Sequence, residues 1–444
     1  MKFPIKGTTR TELLDQMKAL KAKDANWNKG KTWSLVYYAG EEITAFVKEA
    51  YQLYFHENGL NPLAFPSLRT LETEVVSMTA DLFHGDEDTV GSLTSGGSES
   101  ILMAVKTYRD LARQLHPEIK NPEVLLPITA HPAFEKAAHY FDVKTVHIPL
   151  TKDYKADIEE ARKRVSENTI LIVGSAPAYP HGVVDPITEL AGLALERGIP
   201  LHVDACLGGF ILPFVKELGH KVPEFDFKVA GVTSISADLH KYGYASKGVS
   251  VVLYRNKNIR QFQYFAYDQW PGGLFASPTA LGTRPGGAIA SAWAVLNYLG
   301  KEGYLETTRG ILRTTEALLV GIQSIPEFYI LGEPEASVFA IASDKLDLNI
   351  ISELMAEKGW HMDLQQFPES LHFMVTPAHE GVVDQFLFDL KTSVNEVREK
   401  GKESVQVNSA FYGMEGALPE GVNIKDYLIY MLNELMTTPP TNEV

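Results

Sequence analysis

VTSISADLHKYGYASKGVSVVLY, residues 232–254, opens and closes on short apolar, β-branched runs. VTSISA (232–237) and VSVVLY (249–254) have the length and composition of strands, and between them lies a glycine-containing loop that carries Lys241. Outward from this stretch, EVLLPITA (123–130), KTVHIPL (144–150), TILIVGSA (169–176) and IPLHVDA (199–205) have the same character. Helical patterns separate several of them. In SESILMAVKTYRDLARQL (98–115), apolar residues at 101, 102, 105, 108, 111, 112 and 115 build one helical face. Strands alternating with helices predict an α/β domain around a mostly parallel sheet.

That alternation runs over residues 66–305, which are expected to form a large domain. Residues 1–65 read as an N-terminal segment with a helix in GEEITAFVKEAYQLYFHE (40–57). Residues 306–444 carry helical runs at 310–325 and 382–400 and strands SVFAIA (337–342) and SLHFMVTP (370–377), the pattern of a smaller α+β domain. A chain of 444 residues with 45% hydrophobic content supports a large core and exceeds one simple domain.

The net charge of −15 argues against nucleic acid or an anionic membrane as main partner. The single cysteine, Cys206, excludes an intramolecular disulfide and argues against a Cys-based zinc site; no metal is expected, and a reducing, cytoplasmic setting is. No apolar run approaches the roughly 20 residues that span a bilayer, and the opening MKFPIKGTTRTELLDQMKAL is polar, so no transmembrane segment is expected.

Four features fall at strand ends or helix starts, the edge of a doubly wound sheet where ligands bind. TSGGSES (94–100) offers Gly96 and Gly97 for close backbone approach and Ser98 as a helix N-cap, a site for a phosphate or an ordinary capped turn. Asp204 in HVDACLGG (202–209) should stand at a strand tip. There it either caps a loop or pairs with a protonated pyridine nitrogen. Lys241 is either a solvated surface lysine or an amine with a pKa lowered by a low-dielectric pocket, suited to a Schiff base. His240 beside it could donate to a phosphate. His131, after EVLLPITA, is either structural or stacks on a flat ring. A phosphate loop, an acid after a strand and a lysine after the next strand form one constellation.

TSGGSESI, TAHPAFEKAA, HVDACLGGF and SISADLHKYGYASKG, in that order, resemble the fold-type I, group II pyridoxal-phosphate (PLP) dependent decarboxylases. APAYPHGVVDPI (176–187), LFASPTALGTRPGG (274–287) and SAFYGMEG (409–416) resemble the branch of that family whose members are lyases of phosphorylated sphingoid bases. The resemblance implies PLP as cofactor and a homodimer with shared active sites. It makes Lys241 the PLP lysine, Asp204 the partner of the pyridinium and His131 the stacking ring. Gly97, Ser98 and His240 would hold the PLP phosphate, with Gly282 and Thr283 reaching in from the partner subunit. Tyr37, Asn58 and Lys247 match positions that bind the substrate phosphate. Asn61 stands where that branch has a phosphate-binding histidine, a departure that bears on the substrate rather than the reaction class. Tyr412 matches a tyrosine near the reacting centre, and Lys241, Lys247 and Tyr412 are candidate proton carriers. Eukaryotic members carry a membrane anchor, and the polar start of this chain predicts a bacterial-like form without one.

The reaction implied is retro-aldol cleavage of a phosphorylated amino lipid to a long-chain aldehyde and phosphoethanolamine. Two alternatives use the same residues: a PLP-dependent amino-acid decarboxylase, and a protein of this fold that binds a partner without catalysing.

Overall fold

The computed structural model describes residues 3–61, 63–400 and 423–437. Seven strands form the large sheet: β1 Val90–Thr94, β2 Glu123–Pro127, β3 Lys144–Ile148, β4 Thr169–Ser175, β5 Leu201–Asp204, β6 Val232–Ala237 and β7 Ser250–Tyr254. Their order is β1-β7-β6-β5-β4-β2-β3. β3, β2, β4, β5 and β6 run parallel, as the alternating pattern predicts, with helices Ala133–Phe141, Ile158–Arg164 and Ile187–Arg197 in the connections. No helix separates β6 from β7, so the chain turns back and β7 pairs antiparallel to β6. The turn between them is the Lys241 loop.

Every residue of β2, β4, β5 and β7 is buried. Helices cover both faces, which is why these strands read as unbroken apolar runs instead of alternating ones. β1 escaped the sequence reading. VGSLT is short and holds one glycine and two hydroxyl-bearing residues, and it belongs to the sheet only because it pairs with β7 at the edge.

Beyond the large sheet come a two-stranded hairpin, β8 Phe265–Tyr267 with β9 Phe275–Ser277, and an antiparallel sheet of β10 Tyr329–Ile330, β11 Val338–Ala342, β12 Asp363–Gln365 and β13 Ser370–Met374, ordered β10-β11-β13-β12. Sequence pattern found its two central strands; the flanking ones are two and three residues long, too short to show a period. Between hairpin and sheet runs a long helix, Gly286–Gln323, which breaks stride at Gly300, where φ is 53°. A left-handed residue inside a helix is tolerated because Gly300 has no Cβ to clash.

The N-terminal segment ties these parts together. Helix Glu41–Leu53 lies along the long helix, with Phe46 and Tyr298 rings 4.8 Å apart and the Tyr298 hydroxyl donating to Glu42. Upstream, Trp33 is fully buried against the smaller sheet: it stacks on His379 at 4.4 Å, and its carbonyl accepts from the Met374 N–H at 2.8 Å. This anchor sets where Tyr37, four residues on, can reach. Among the described residues, no helix is long and apolar enough to cross a membrane.

Candidate active site

The site grows from the carboxyl ends of β5 and β6. Past Ala237 the chain makes a tight turn: Lys241 N–H donates to the Asp238 carbonyl at 3.2 Å, and Tyr244 N–H to the Lys241 carbonyl at 2.9 Å. The turn folds Lys241 back on Asp238, with Nζ 2.9 Å from Oδ2. His240 adds a second nitrogen, Nε2 3.6 Å from the same oxygen; its Nδ1 accepts from the Val249 N–H at 3.2 Å, which leaves the proton on Nε2. Asp238 is buried, and its Oδ1 has no hydrogen-bond partner.

Here the electrostatics differ from the sequence-based expectation of a lowered lysine pKa. Burial opposes the charge on Lys241 and is the largest influence. Asp238, with help from Asp204, outweighs it and carries the amine above its ordinary value. Burial likewise opposes charge on Asp238, and Lys241 and His240 reverse that and hold the carboxyl below its ordinary value. Sequence reading passed over Asp238. The available signal was an acid placed directly after a strand and three residues before the lysine.

Helix Gly97–Leu115 points its N-terminus at this pair. Ser98 is not its cap: Gly96 occupies the N-cap position, no side chain caps the helix, and Ser98 stands exposed in the first turn. The first-turn N–H groups, which have no intrahelical acceptor, are therefore open to an anion. The approach is close. A Cβ on Gly97 would lie 2.7 Å from Asp238 Oδ2 and 3.0 Å from Cys206 Sγ, and one on Gly96 would lie 3.2 Å from His240 Cε1. Only glycine allows the helix to start this near the carboxylate.

Asp204 ends β5 and is 7% exposed. Its Oδ1 accepts from the Cys206 N–H at 3.0 Å and from the Ser236 hydroxyl at 3.3 Å. His131 lies past β2 on the open side of the cleft, its Nδ1 accepting from the Ala133 N–H at 3.1 Å. The protein around the ring lowers its pKa against the pull of Asp204, and Lys241 lowers it further, so the three groups share one space.

Tyr37 and Lys247 join the same cleft. The Lys247 amine sits 5.0 Å from the Tyr37 ring centroid and donates to the carbonyls of Leu35 at 3.1 Å and His240 at 3.3 Å. Partial burial and the neighbouring Lys241 push its pKa down to about 8. The Tyr37 ring meets Tyr242 edge-on at 5.0 Å, and its hydroxyl contacts Met374 Sδ at 3.1 Å.

Asn58, Asn61, Gly282 and Thr283 form a second group. The Gly59 N–H donates to the Arg284 carbonyl and the Gly286 N–H to the Glu57 carbonyl, both at 2.9 Å, so the two loops are laced backbone to backbone. The Asn58 and Asn61 side chains accept from the N–H groups of Leu60 and Leu63 within their own loop. In the single chain this group meets the first through Glu99, whose carboxylate accepts from the N–H groups of Ser95 and Leu281. Arg284, Glu72 and Glu99, which organise the junction, carried no motif a reader could isolate. Tyr412 lies outside the described residues.

This arrangement fits pyridoxal phosphate. An uncapped helix N-terminus flanked by His240 suits the phosphate, Lys241 would supply the amine, Asp204 would serve as the acid, and His131 would offer a flat ring. The glycine cradle at 96–97 and the unpaired Asp238 oxygen mark a pocket built around a polar group.

Comparison with known proteins agrees. The family described as "Pyridoxal-dependent decarboxylase conserved domain" matches residues 1–342. Sphingosine-1-phosphate lyase 1 of Rattus norvegicus is 43% identical over 444 aligned residues, covering 99% of this chain and 78% of the rat protein. The structure of the Burkholderia pseudomallei K96243 sphingosine-1-phosphate lyase superposes with a TM-score of 0.90 at 36% identity, covering 99% of this chain and 98% of that one. A probable L-aspartate decarboxylase of Pyrococcus furiosus is 34% identical over 81% of this chain and 94% of its own. The chain belongs to the pyridoxal-dependent decarboxylase family, and within it to the sphingosine-1-phosphate lyases.

Proposed function

We propose that the chain cleaves the C2–C3 bond of a phosphorylated sphingoid base, sphingosine 1-phosphate in type, to a long-chain aldehyde and phosphoethanolamine. It is a PLP-dependent aldehyde-lyase. The observation that carries the substrate assignment is Lys247, a second cation in the Lys241 cleft, set against Tyr37. A phosphate monoester carries close to two negative charges near neutral pH, and a lysine is a compact partner for it.

Bound pyridoxal phosphate supplies an electron sink for the pair left on C2. The residues of the chain do the rest. Gly97, Ser98 and His240 hold the cofactor's phosphate, Asp204 holds its ring nitrogen, and His131 covers one face. Lys247, Tyr37 and Asn58 hold the substrate phosphate, which fixes the C2–C3 bond in the reacting orientation. Across the reaction the C3 hydroxyl loses a proton and C2 gains one, so no water is consumed. Lys241 and Lys247, both in the cleft, and Tyr412 are the carriers assigned to those transfers.

In this reading the working unit is a cytoplasmic homodimer, with Gly282 and Thr283 completing the partner's site. The hairpin beside their loop exposes Trp270 and Leu274, the latter at 88%, which suits a face that another subunit covers.

The test is product identification with sphingosine 1-phosphate, sphingosine and a panel of amino acids. Aldehyde and phosphoethanolamine from the phosphorylated base alone support the proposal. Carbon dioxide from an amino acid would install the decarboxylase reading instead.

A further inference from the structure

β5 and β6 run in register, with His202 opposite Ser234 and Asp204 opposite Ser236. The period of two puts these four side chains on one face. That face is sealed: His202, Ser234 and Ser236 are fully buried. Buried parallel strands are ordinarily apolar, and buried polar groups need partners. These four find one another, together with Tyr108 from helix Gly97–Leu115.

The directions of the bonds follow from the chemistry of each group. The Tyr108 hydroxyl has one proton and donates it to Ser234 Oγ at 2.8 Å, so in its 2.7 Å contact with the Thr233 hydroxyl it is the acceptor. Ser236 donates to Asp204 Oδ1 at 3.3 Å. Burial pushes the His202 pKa down to about 4 against the pull of Asp204, so the ring is neutral, with one N–H and one lone pair. Its Nε2, 3.2 Å from Ser236 Oγ, must be the N–H, because the Ser236 proton is already committed to Asp204. Its Nδ1, 2.8 Å from Ser234 Oγ, then accepts the Ser234 proton. Every donor in the chain Tyr108–Ser234–His202–Ser236 points toward Asp204. The Cys206 N–H falls on the same oxygen, so the carboxylate is locked in rotation with Oδ2 outside the chain.

We propose that this buried one-way chain positions Asp204 for the cofactor's ring nitrogen and so keeps that nitrogen protonated. His202, Ser234, Ser236 and Tyr108 are positioning residues; none is placed against the substrate. Hydrogen bonds in series in a low-dielectric interior polarise one another, so the far members contribute through the near ones. The inference rests on the assignment of Asp204 to the ring nitrogen.

The experiment is isotope-edited NMR of the ring nitrogen in holoenzyme reconstituted with labelled pyridoxal phosphate, beside steady-state kinetics. Ser236→Ala removes one oxygen from the chain, and His202→Leu removes both of its central bonds. The ring-nitrogen resonance should move toward the unprotonated position in both variants. The kcat should fall roughly tenfold, about what one buried hydrogen bond is worth, with KM nearly unchanged. His202→Gln, which keeps one donor and one acceptor, should recover most of both. A resonance and kcat that stay at wild-type values in folded Ser236→Ala overturn the proposal, and so does a wild-type ring nitrogen that is unprotonated. If His202→Leu does not fold, Ser236→Ala decides alone. The NMR readout needs the cofactor and not the lipid, so a holoenzyme with a protonated ring nitrogen that cleaves no phosphorylated base would sink the substrate assignment and leave this inference standing.

Discussion

Lys241 and Lys247 occupy one cleft and are driven in opposite directions. Lys241 has Asp238 at 2.9 Å and is held above the ordinary lysine value; Lys247 donates only to carbonyls and is pushed down to about 8. Environment therefore gives two identical side chains two roles. Lys241→Ala should abolish the visible absorbance of lysine-bound cofactor together with turnover; an absorbance that survives would mean another lysine holds it. Asp238→Asn removes the main opponent of burial at Lys241, so reconstitution with pyridoxal phosphate, which needs the neutral amine, should become fast at lower pH than in wild type. For Lys247 the sign follows from its charge. Protonated below about 8, it binds phosphate; as pH rises through that value the charge is lost, and KM for the phosphorylated base should climb. Lys247→Arg stays charged, so its KM should be flat across the same range, and a wild-type KM that is flat as well would remove Lys247 from phosphate binding.

At the scale of elements, the sequence was most readable where burial is complete. β4 and β5 announced themselves as apolar runs, and the tips of β5 and β6 led to Asp204 and Lys241. It was least readable where an element exists only through its neighbours. β1 needs β7, and the pairing of Asn58 with Pro285 joins residues more than two hundred positions apart, which no local period encodes. Ser98 shows a third limit: serine before an apolar helix looked like a cap, yet Gly96 takes that place and leaves the N–H groups open. The clasp around Arg284 belongs here too. Its buried guanidinium donates to the Gly59 carbonyl at 3.1 Å and the Leu93 carbonyl at 3.4 Å and pairs with Glu72, so it binds helix Pro66–Leu82, the edge strand and both candidate loops. Arg284→Met leaves Glu72 uncompensated, and breaking a buried pair of this kind costs about 3 kcal/mol. Urea unfolding should register that loss. KM should rise more than kcat falls, because the loops carry Asn58, Gly282 and Thr283 while the Lys241 turn is untouched. A kcat loss with constant KM would place the clasp in the chemistry instead.

At the scale of the whole molecule, the buried histidines decide how the fold responds to acid. His202 lies inside the large sheet; His181 and His372 lie on the seam between the two sheets. His181 follows β4 and packs on Tyr154 at 4.3 Å, while His372, on β13, stacks on Tyr179 at 4.2 Å and meets the Tyr179 carbonyl at 2.9 Å. The seam is tight, because a Cβ on Gly182, where φ is 70°, would lie 1.8 Å from the Val338 carbonyl oxygen. Burial pushes all three histidines down from 6.5 to about 4, with His372 adding to the effect on His181. Their folded pKa lies below the unfolded one, so as pH falls through 6.5 the unfolded chain binds protons first and stability drains away until about pH 4, by as much as roughly 3 kcal/mol for each ring. Asp185 works the other way. Burial raises it from 3.8 to about 6 despite N–H donors from Ala156 and Ser175, so its folded pKa lies above the unfolded one and acidification through 6 returns stability of similar size. Three rings against one carboxyl leave a net loss, and two of the three open the seam when they charge. The urea midpoint should therefore fall steadily from neutral pH to about pH 4, and His181→Phe should flatten that net slope by about half. A midpoint insensitive to pH over this range would mean the three rings are not held neutral in the fold, and the donor directions assigned through His202 would fall with them.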